Sequence, residues 1–170
     1  ALNDVNNLKV AMEATVKAGA IASGTISYTT SPVHTHAKYV EMVKELKEMG
    51  ASTICIKDMA GIMGPQEAYD MVSAIKDAVP GMPIDLHTHS TTGLAFMTYL
   101  KAVEAGVDII DTAISPFSGG TSQPATETMA YALRQLGYEV DLDDACTKKM
   151  AEYFKGVRDG SVAAGTLMPK

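Results

Sequence analysis

Short apolar runs alternate with helix-periodic stretches along this chain, and glycine marks the joints. Lys17-Ala18-Gly19-Ala20, Glu48-Met49-Gly50-Ala51 and Glu104-Ala105-Gly106-Val107 are variants of one ending, and Pro80-Gly81 falls between the last two. Gly19 to Gly50 and Gly50 to Gly81 are each 31 residues, and Gly81 to Gly106 is 25. A glycine in that place suits a left-handed helix cap. The pattern predicts helices over 5–18, 37–49, 65–79, 92–105 and 125–136. It predicts strands over 24–28, 53–56, 84–86 and 107–112, each after a glycine. In the second helix Tyr39, Val40, Val43 and Leu46 share a stripe with charges opposite. Pro65 suits a first helical turn.

Strand and helix alternating at this spacing imply right-handed βα units and a parallel sheet. An open doubly wound sheet would carry a phosphate-binding glycine fingerprint after its first strand, and none is present. Ser118-Gly119-Gly120-Thr121 has neither the following Gly nor the Lys of a phosphate loop. A barrel is favoured, yet a whole one takes about 250 residues and eight strands. The expected fold class is therefore α/β, the C-terminal half of a (β/α)8 TIM barrel, with its last four strands in residues 1–138. Residues 139–170 change character. Asp141-Leu142-Asp143-Asp144 is a helix-start signal, a helix is predicted over 144–157, and Gly165 and Pro169 break the pattern. That stretch reads as a helical tail opening a following domain.

Composition narrows the function classes. The 170 residues are 46% apolar, as in a soluble globular domain, and no apolar run approaches the roughly 20 residues that span a bilayer. The net charge is −6 without a Lys/Arg cluster, which argues against nucleic acid. Two cysteines, Cys55 and Cys146, lie on different segments, which argues against a disulfide framework and for a cytoplasmic location.

The unusual residues gather at the carboxyl ends of the predicted strands, where a barrel places its active site. Ile54-Cys55-Ile56 runs into Lys57-Asp58, and thirty residues on Ile84-Asp85-Leu86 runs into His87-Thr88-His89. His87 and His89, at i and i+2 on a strand, project to one face. Two imidazoles beside a lysine from the next strand suggest a metal site, although an ammonium cannot ligate a cation. A bland reading pairs Lys57 with Asp58 or another neighbour. His34-Thr35-His36 has the same spacing, but it reads as a solvated loop before a helix opening at Ala37, and it is left out of the site.

Four segments carry a family resemblance: Ile26-Ser27-Tyr28-Thr29, Ile56-Lys57-Asp58-Met59-Ala60-Gly61, Leu86-His87-Thr88-His89-Ser90 and Ser118-Gly119-Gly120-Thr121-Ser122-Gln123-Pro124. Together they resemble the carboxyltransferase domain of biotin-dependent enzymes, which includes pyruvate carboxylase and the α subunit of oxaloacetate decarboxylase. Ala1-Leu2-Asn3-Asp4 resembles that domain's fourth strand end. The resemblance implies carboxyl transfer between oxaloacetate or pyruvate and biotin, a lyase-type or carboxylase-type step of pyruvate metabolism. It implies a divalent metal (zinc, manganese or cobalt) held by Lys57, His87 and His89, with Lys57 carbamylated by CO2 so that it becomes an anionic ligand. It assigns Thr121 as a hydroxyl proton shuttle between biotin and the pyruvate enolate, beside Lys57 as a catalytic residue.

No biotin-attachment Met-Lys-Met occurs, so biotin is expected on another domain or chain, as a biotinylated carrier. The family takes a further aspartate ligand and an arginine from early strands that these residues do not include, so the chain alone is expected to be inactive. A homo-oligomer without direct membrane insertion is expected, cytoplasmic or at the periphery of a membrane decarboxylase complex. Two rivals remain: a Schiff-base barrel aldolase using Lys57, and a non-catalytic truncated half-barrel.

Overall fold

A computed structural model describes residues 3–169. Its centre is a four-stranded parallel sheet in the order β1-β2-β3-β4, formed by β1 (Ser23–Ser27), β2 (Thr53–Asp58), β3 (Ile84–Thr88) and β4 (Ile109–Ile110). Sequential neighbours in a parallel sheet require crossover helices, and α2 (His36–Glu48), α3 (Pro65–Ala78) and α4 (Ala95–Glu104) supply them. A first helix, α1 (Val5–Lys17), precedes β1, and α5 (Thr126–Gln135) and α6 (Asp144–Ala163) follow β4. These are consecutive βα units of the expected kind.

The strands bury one face. Ile26, Ile54, Ile56, Ile84 and Leu86 are fully buried beneath the helices. Each such side chain contributes about 1.5–3 kcal/mol relative to exposure. Tyr39, Met42, Val43 and Leu46 of α2 and Met71, Val72 and Ile75 of α3 close over them. Tyr99 and Ala102 of α4 do the same. In α2 the buried stripe takes Met42 in place of the predicted Val40, which is only partly buried. The other sheet face, with Thr25, Cys55, Lys57, Asp85 and His87, alternates with the first and is half-exposed.

Several element ends differ from expectation. β4 keeps two residues of the six predicted, Ile109 and Ile110, paired with Asp85 and Leu86. Its path still follows β3: Asp108 N–H donates to Ile84 O at 3.0 Å and Asp111 N–H to Leu86 O at 3.1 Å. Helix α4 opens at Ala95 rather than residue 92, because Gly93 takes a left-handed φ of 83° in a turn closed onto Ser90 O. Helix α6 passes the predicted end at residue 157 and reaches Ala163. Gly156 and Gly160 are tolerated inside it, and a Lys155–Asp159 ion pair at 2.6 Å spans one turn between them. Its cap is as read: the Asp143 side chain accepts from Cys146 N–H at 2.9 Å.

The early segment is outside the described residues at Ala1 and Leu2. Asn3 is described, and its amide completes β1 as a strand would. Nδ2 donates to Ser27 O at 2.7 Å and Oδ1 accepts from Ser27 N–H at 2.8 Å. The tail is tied back to α5, where Arg134 holds both Asp144 oxygens at 2.8 and 2.9 Å and the carbonyls of Val140 and Leu142. No helix among the described residues is long and apolar enough to cross a membrane.

Candidate metal and proton-transfer site

The register brings the candidate residues together. Ser27, Lys57 and His87 are successive partners across β1, β2 and β3, so they stand in one row on one face at the carboxyl ends. Cys55 and Asp85 form the row below. Asp58 goes to the other face, which argues against its pairing with Lys57. Asp58 is fully buried. It accepts from Ile62 N–H at 3.1 Å, Met63 N–H at 2.8 Å and the Thr88 hydroxyl at 2.8 Å. In the Lys-Asp-Met-Ala-Gly motif the aspartate therefore shapes the loop after β2. The glycine has a separate reason. Gly61 has φ +66°, and a Cβ there would lie 2.3 Å from the His89 carbonyl oxygen.

The two strand-end imidazoles face each other. His87 Nε2 and His89 Nε2 are 3.1 Å apart. The opposite nitrogen of each ring is engaged: His87 Nδ1 lies 2.7 Å from Asp111 Oδ2, and His89 Nδ1 lies 2.6 Å from the Thr121 carbonyl oxygen. A carboxylate and a carbonyl only accept, so both Nδ1 atoms carry the proton in neutral rings. Two Nε2 lone pairs then converge on one point, an arrangement that requires a proton donor or a cation between them. The side-chain amide of Gln123 also approaches His87 Nε2, at 3.1 Å.

Thr121 stands on a turn locked to these residues. Gly119 and Gly120 both adopt left-handed φ, 77° and 57°. Gly119 N–H donates to Gln123 O at 2.8 Å and Ser122 N–H to Gly119 O at 2.9 Å. Ser90 N–H donates to Ser122 O at 2.8 Å, which joins the turn to the residue after His89. The Thr121 carbonyl is thus committed to His89, and the residue is exposed at the same end of the sheet.

Burial sets the electrostatics beneath the row. The Cys55 thiol is pushed up to about 12, first by burial and then by the charges of Asp85 and Asp111. Burial and then Asp111 also raise the Asp85 carboxyl above its ordinary value. Asp85 Oδ1 is buried without a hydrogen-bond partner. Tyr28, just past β1, is raised to about 12 by burial and by Glu67. Glu67 also takes the His36 ring at 2.8 Å, and His34 Nδ1 meets the Ser31 hydroxyl at 2.8 Å. His36 therefore opens α2 and is held by α3, where a solvated loop was expected. The pair stays outside the site, because each ring has a partner of its own.

The donor set suits a divalent cation. Two imidazole nitrogens 3.1 Å apart match adjacent ligands on an ion about 2.0–2.1 Å from each, once the Gln123 amide gives up His87 Nε2. Among the described residues no three His, Cys, Asp or Glu side chains gather as a ligand group. Lys57 stands beside His87 in the same row. The sequence reading left Asp111 and Gln123 without roles, although Gln123 lies in the Ser118–Pro124 segment that carries the resemblance. Their signal is tertiary: neither has a motif spacing to His87, which is 24 and 36 residues away. The larger hollows lie elsewhere. One of about 300 Å³ is lined by Tyr131, Arg134, Leu142 and Thr147 between α5 and α6.

Comparison with known proteins gives a consistent picture. The HMGL-like family model matches residues 4–153. A pyruvate carboxylase subunit from Methanocaldococcus jannaschii is 50% identical over 159 residues, covering 94% of this chain and 28% of that protein. The methylmalonyl-CoA carboxyltransferase 5S subunit of Propionibacterium freudenreichii subsp. shermanii is 47% identical, covering 93% of this chain and 32% of that protein. The carboxyl transferase domain of Rhizobium etli pyruvate carboxylase, solved with pyruvate and biocytin, superposes with a TM-score of 0.88 at 37% identity, covering 92% of this chain and 27% of that one. The chain thus spans about a third or less of the length of each protein it matches.

Proposed function

This chain belongs to the HMGL-like family, and from that premise we propose that it forms part of a biotin-dependent carboxyltransferase acting between oxaloacetate or pyruvate and biotin. The observation that carries the proposal is the convergence of His87 Nε2 and His89 Nε2 at 3.1 Å in line with Lys57. The relatives and the solved neighbour named above support the reaction class.

In this reading His87, His89 and Lys57 hold a divalent metal, zinc, manganese or cobalt, with Lys57 contributing as a CO2 carbamate. Imidazole and oxygen ligands suit all three ions. When bound, such an ion supplies Lewis acidity beside a 2-keto acid. The chain's own residues do the rest. The imidazoles are oriented from behind, so the pocket need not reorganise during reaction. In the decarboxylating direction the bond between the carboxyl carbon and the methylene of oxaloacetate breaks, and that carbon bonds to N1 of biotin. The electron pair stays on the methylene carbon as pyruvate enolate. Thr121 accepts the proton leaving biotin N1 and gives its own to the enolate carbon; a hydroxyl can do both. The reverse sequence carboxylates pyruvate.

Residues 1–138 would supply the last four barrel strands and 139–170 would lead into the next domain. Biotin would arrive on a carrier in another domain or chain, in a homo-oligomer that is cytoplasmic or peripheral to a membrane decarboxylase complex. Pyruvate release from oxaloacetate by the full-length protein, with and without biocytin, tests the proposal beside metal analysis. Biocytin-stimulated turnover, lost together with bound metal in Lys57→Ala and His87→Ala, is expected. Metal-free protein whose Lys57 is trapped by borohydride with a keto acid would overturn it in favour of the aldolase. Metal-loaded full-length protein without turnover would overturn it in favour of a non-catalytic role.

A further inference from the structure

Asp111 reaches His87 from behind. Its Oδ2 lies 2.7 Å from Nδ1, whereas Nε2, at the far side of the ring, faces His89. The carboxylate cannot share an ion bound at Nε2. It can only fix which nitrogen carries the proton, hold the ring plane and raise the donor strength of Nε2.

The position of Asp111 is itself built. It lies just past the two-residue strand β4, where the ladder ends with Asp111 N–H donating to Leu86 O at 3.1 Å. The segment is then secured by Tyr99 of α4, a fully buried side chain. The Tyr99 hydroxyl donates to Asp111 O at 2.5 Å and accepts from Thr88 N–H at 3.1 Å. One hydroxyl therefore ties the backbone of Asp111 to β3 between His87 and His89. This arrangement is absent on the other imidazole, where a backbone carbonyl, that of Thr121, takes the Nδ1 proton.

We infer that Asp111 is the positioning residue of His87, setting its tautomer, orientation and donor strength for metal, and that Tyr99 holds Asp111 in place. The inference rests on the carboxyltransferase reading for its metal, but not on any catalytic step.

The test measures cobalt(II) and zinc affinity of the full-length protein by competition with a chromogenic chelator, and the visible spectrum of the cobalt form. Asp111→Asn keeps the side-chain shape and removes the charge. It should weaken binding about 10–100-fold and alter the cobalt spectrum. Tyr99→Phe keeps the buried ring, and should weaken binding by a smaller factor in the same direction. Asp108→Asn is the control for a merely structural carboxylate, since Asp108 binds Lys76 Nζ at 2.5 Å and Ile84 N–H at 2.7 Å away from the imidazoles. It should leave affinity and spectrum unchanged. Asp111→Asn with an affinity within about twofold of the parent and an unaltered spectrum overturns the inference alone. A parent protein that binds neither ion overturns the metal reading beneath it.

Discussion

Gly61→Ala adds one methyl group at the point where the loop after β2 crosses the segment carrying His89. The new Cβ would lie 2.3 Å from His89 O, 3.1 Å from His89 C and 3.3 Å from Thr91 N. A carbon normally stays about 3.3 Å from a carbonyl oxygen, so roughly 1 Å of separation must be found. The loop cannot easily supply it. Thr92 Oγ1 donates to Gly61 O, and the next two amides, Ile62 and Met63, are fixed on the buried Asp58 carboxylate. A left-handed φ costs an alanine about 1–2 kcal/mol, and forced packing adds about 1–3. The expected loss of stability is therefore about 2–5 kcal/mol. Displacing His89 by about 1 Å should lower kcat/KM by about 10²-fold. Urea unfolding of the full-length protein, with metal content and turnover measured alongside, reads both effects. Gly64→Ala is the internal control: φ there is −71° and nothing lies within 4 Å of an added Cβ. It should cost less than about 1 kcal/mol. If Gly61→Ala unfolds with Gly64→Ala and keeps its metal and turnover, the close approach does not constrain the site.

Asp58→Ala should destabilise by about 2–6 kcal/mol in the same urea assay, because the buried Met63 amide and Thr88 hydroxyl, with the part-buried Ile62 amide, lose their acceptor; a loss below about 1 kcal/mol would show that water replaces it. Thr121→Ala should lower carboxyl transfer by about 10²–10⁴-fold while metal content holds, since its carbonyl, not its hydroxyl, serves His89; near-normal turnover would refute the shuttle. Cys146, exposed, should be alkylated by iodoacetamide at pH 8, whereas Cys55, raised to about 12, should resist. Its folded-state thiolate population rises with pH towards that value, so labelling of Cys55 at pH 8 as fast as that of Cys146 would contradict the burial and charge beneath the Lys57–His87 row.

The repeat of glycine and apolar run along the chain was enough to determine the parallel βα order. Each local signal, a C-cap glycine, an i, i+3, i+4 stripe or a period-2 strand, acts over a few residues, and the units are alike. His87 and His89 were legible for the same reason: a spacing of two on a strand sets a common face whatever surrounds it. Lys57 joined them through its place at the preceding strand end. The 107–112 run looked like a full strand, yet β4 pairs at two residues, because strand length depends on neighbours that local sequence does not encode. Asp111, Gln123 and Tyr99 were invisible for a related reason. Their contacts with the site cross 11 to 36 residues and exist only after α4 and the Gly119-Gly120 turn have packed. Sequence alone determined that Lys57, His87 and His89 stand at the carboxyl ends of neighbouring strands. Tertiary structure decided which nitrogen of each imidazole carries the proton, because that depends on acceptors brought in by packing.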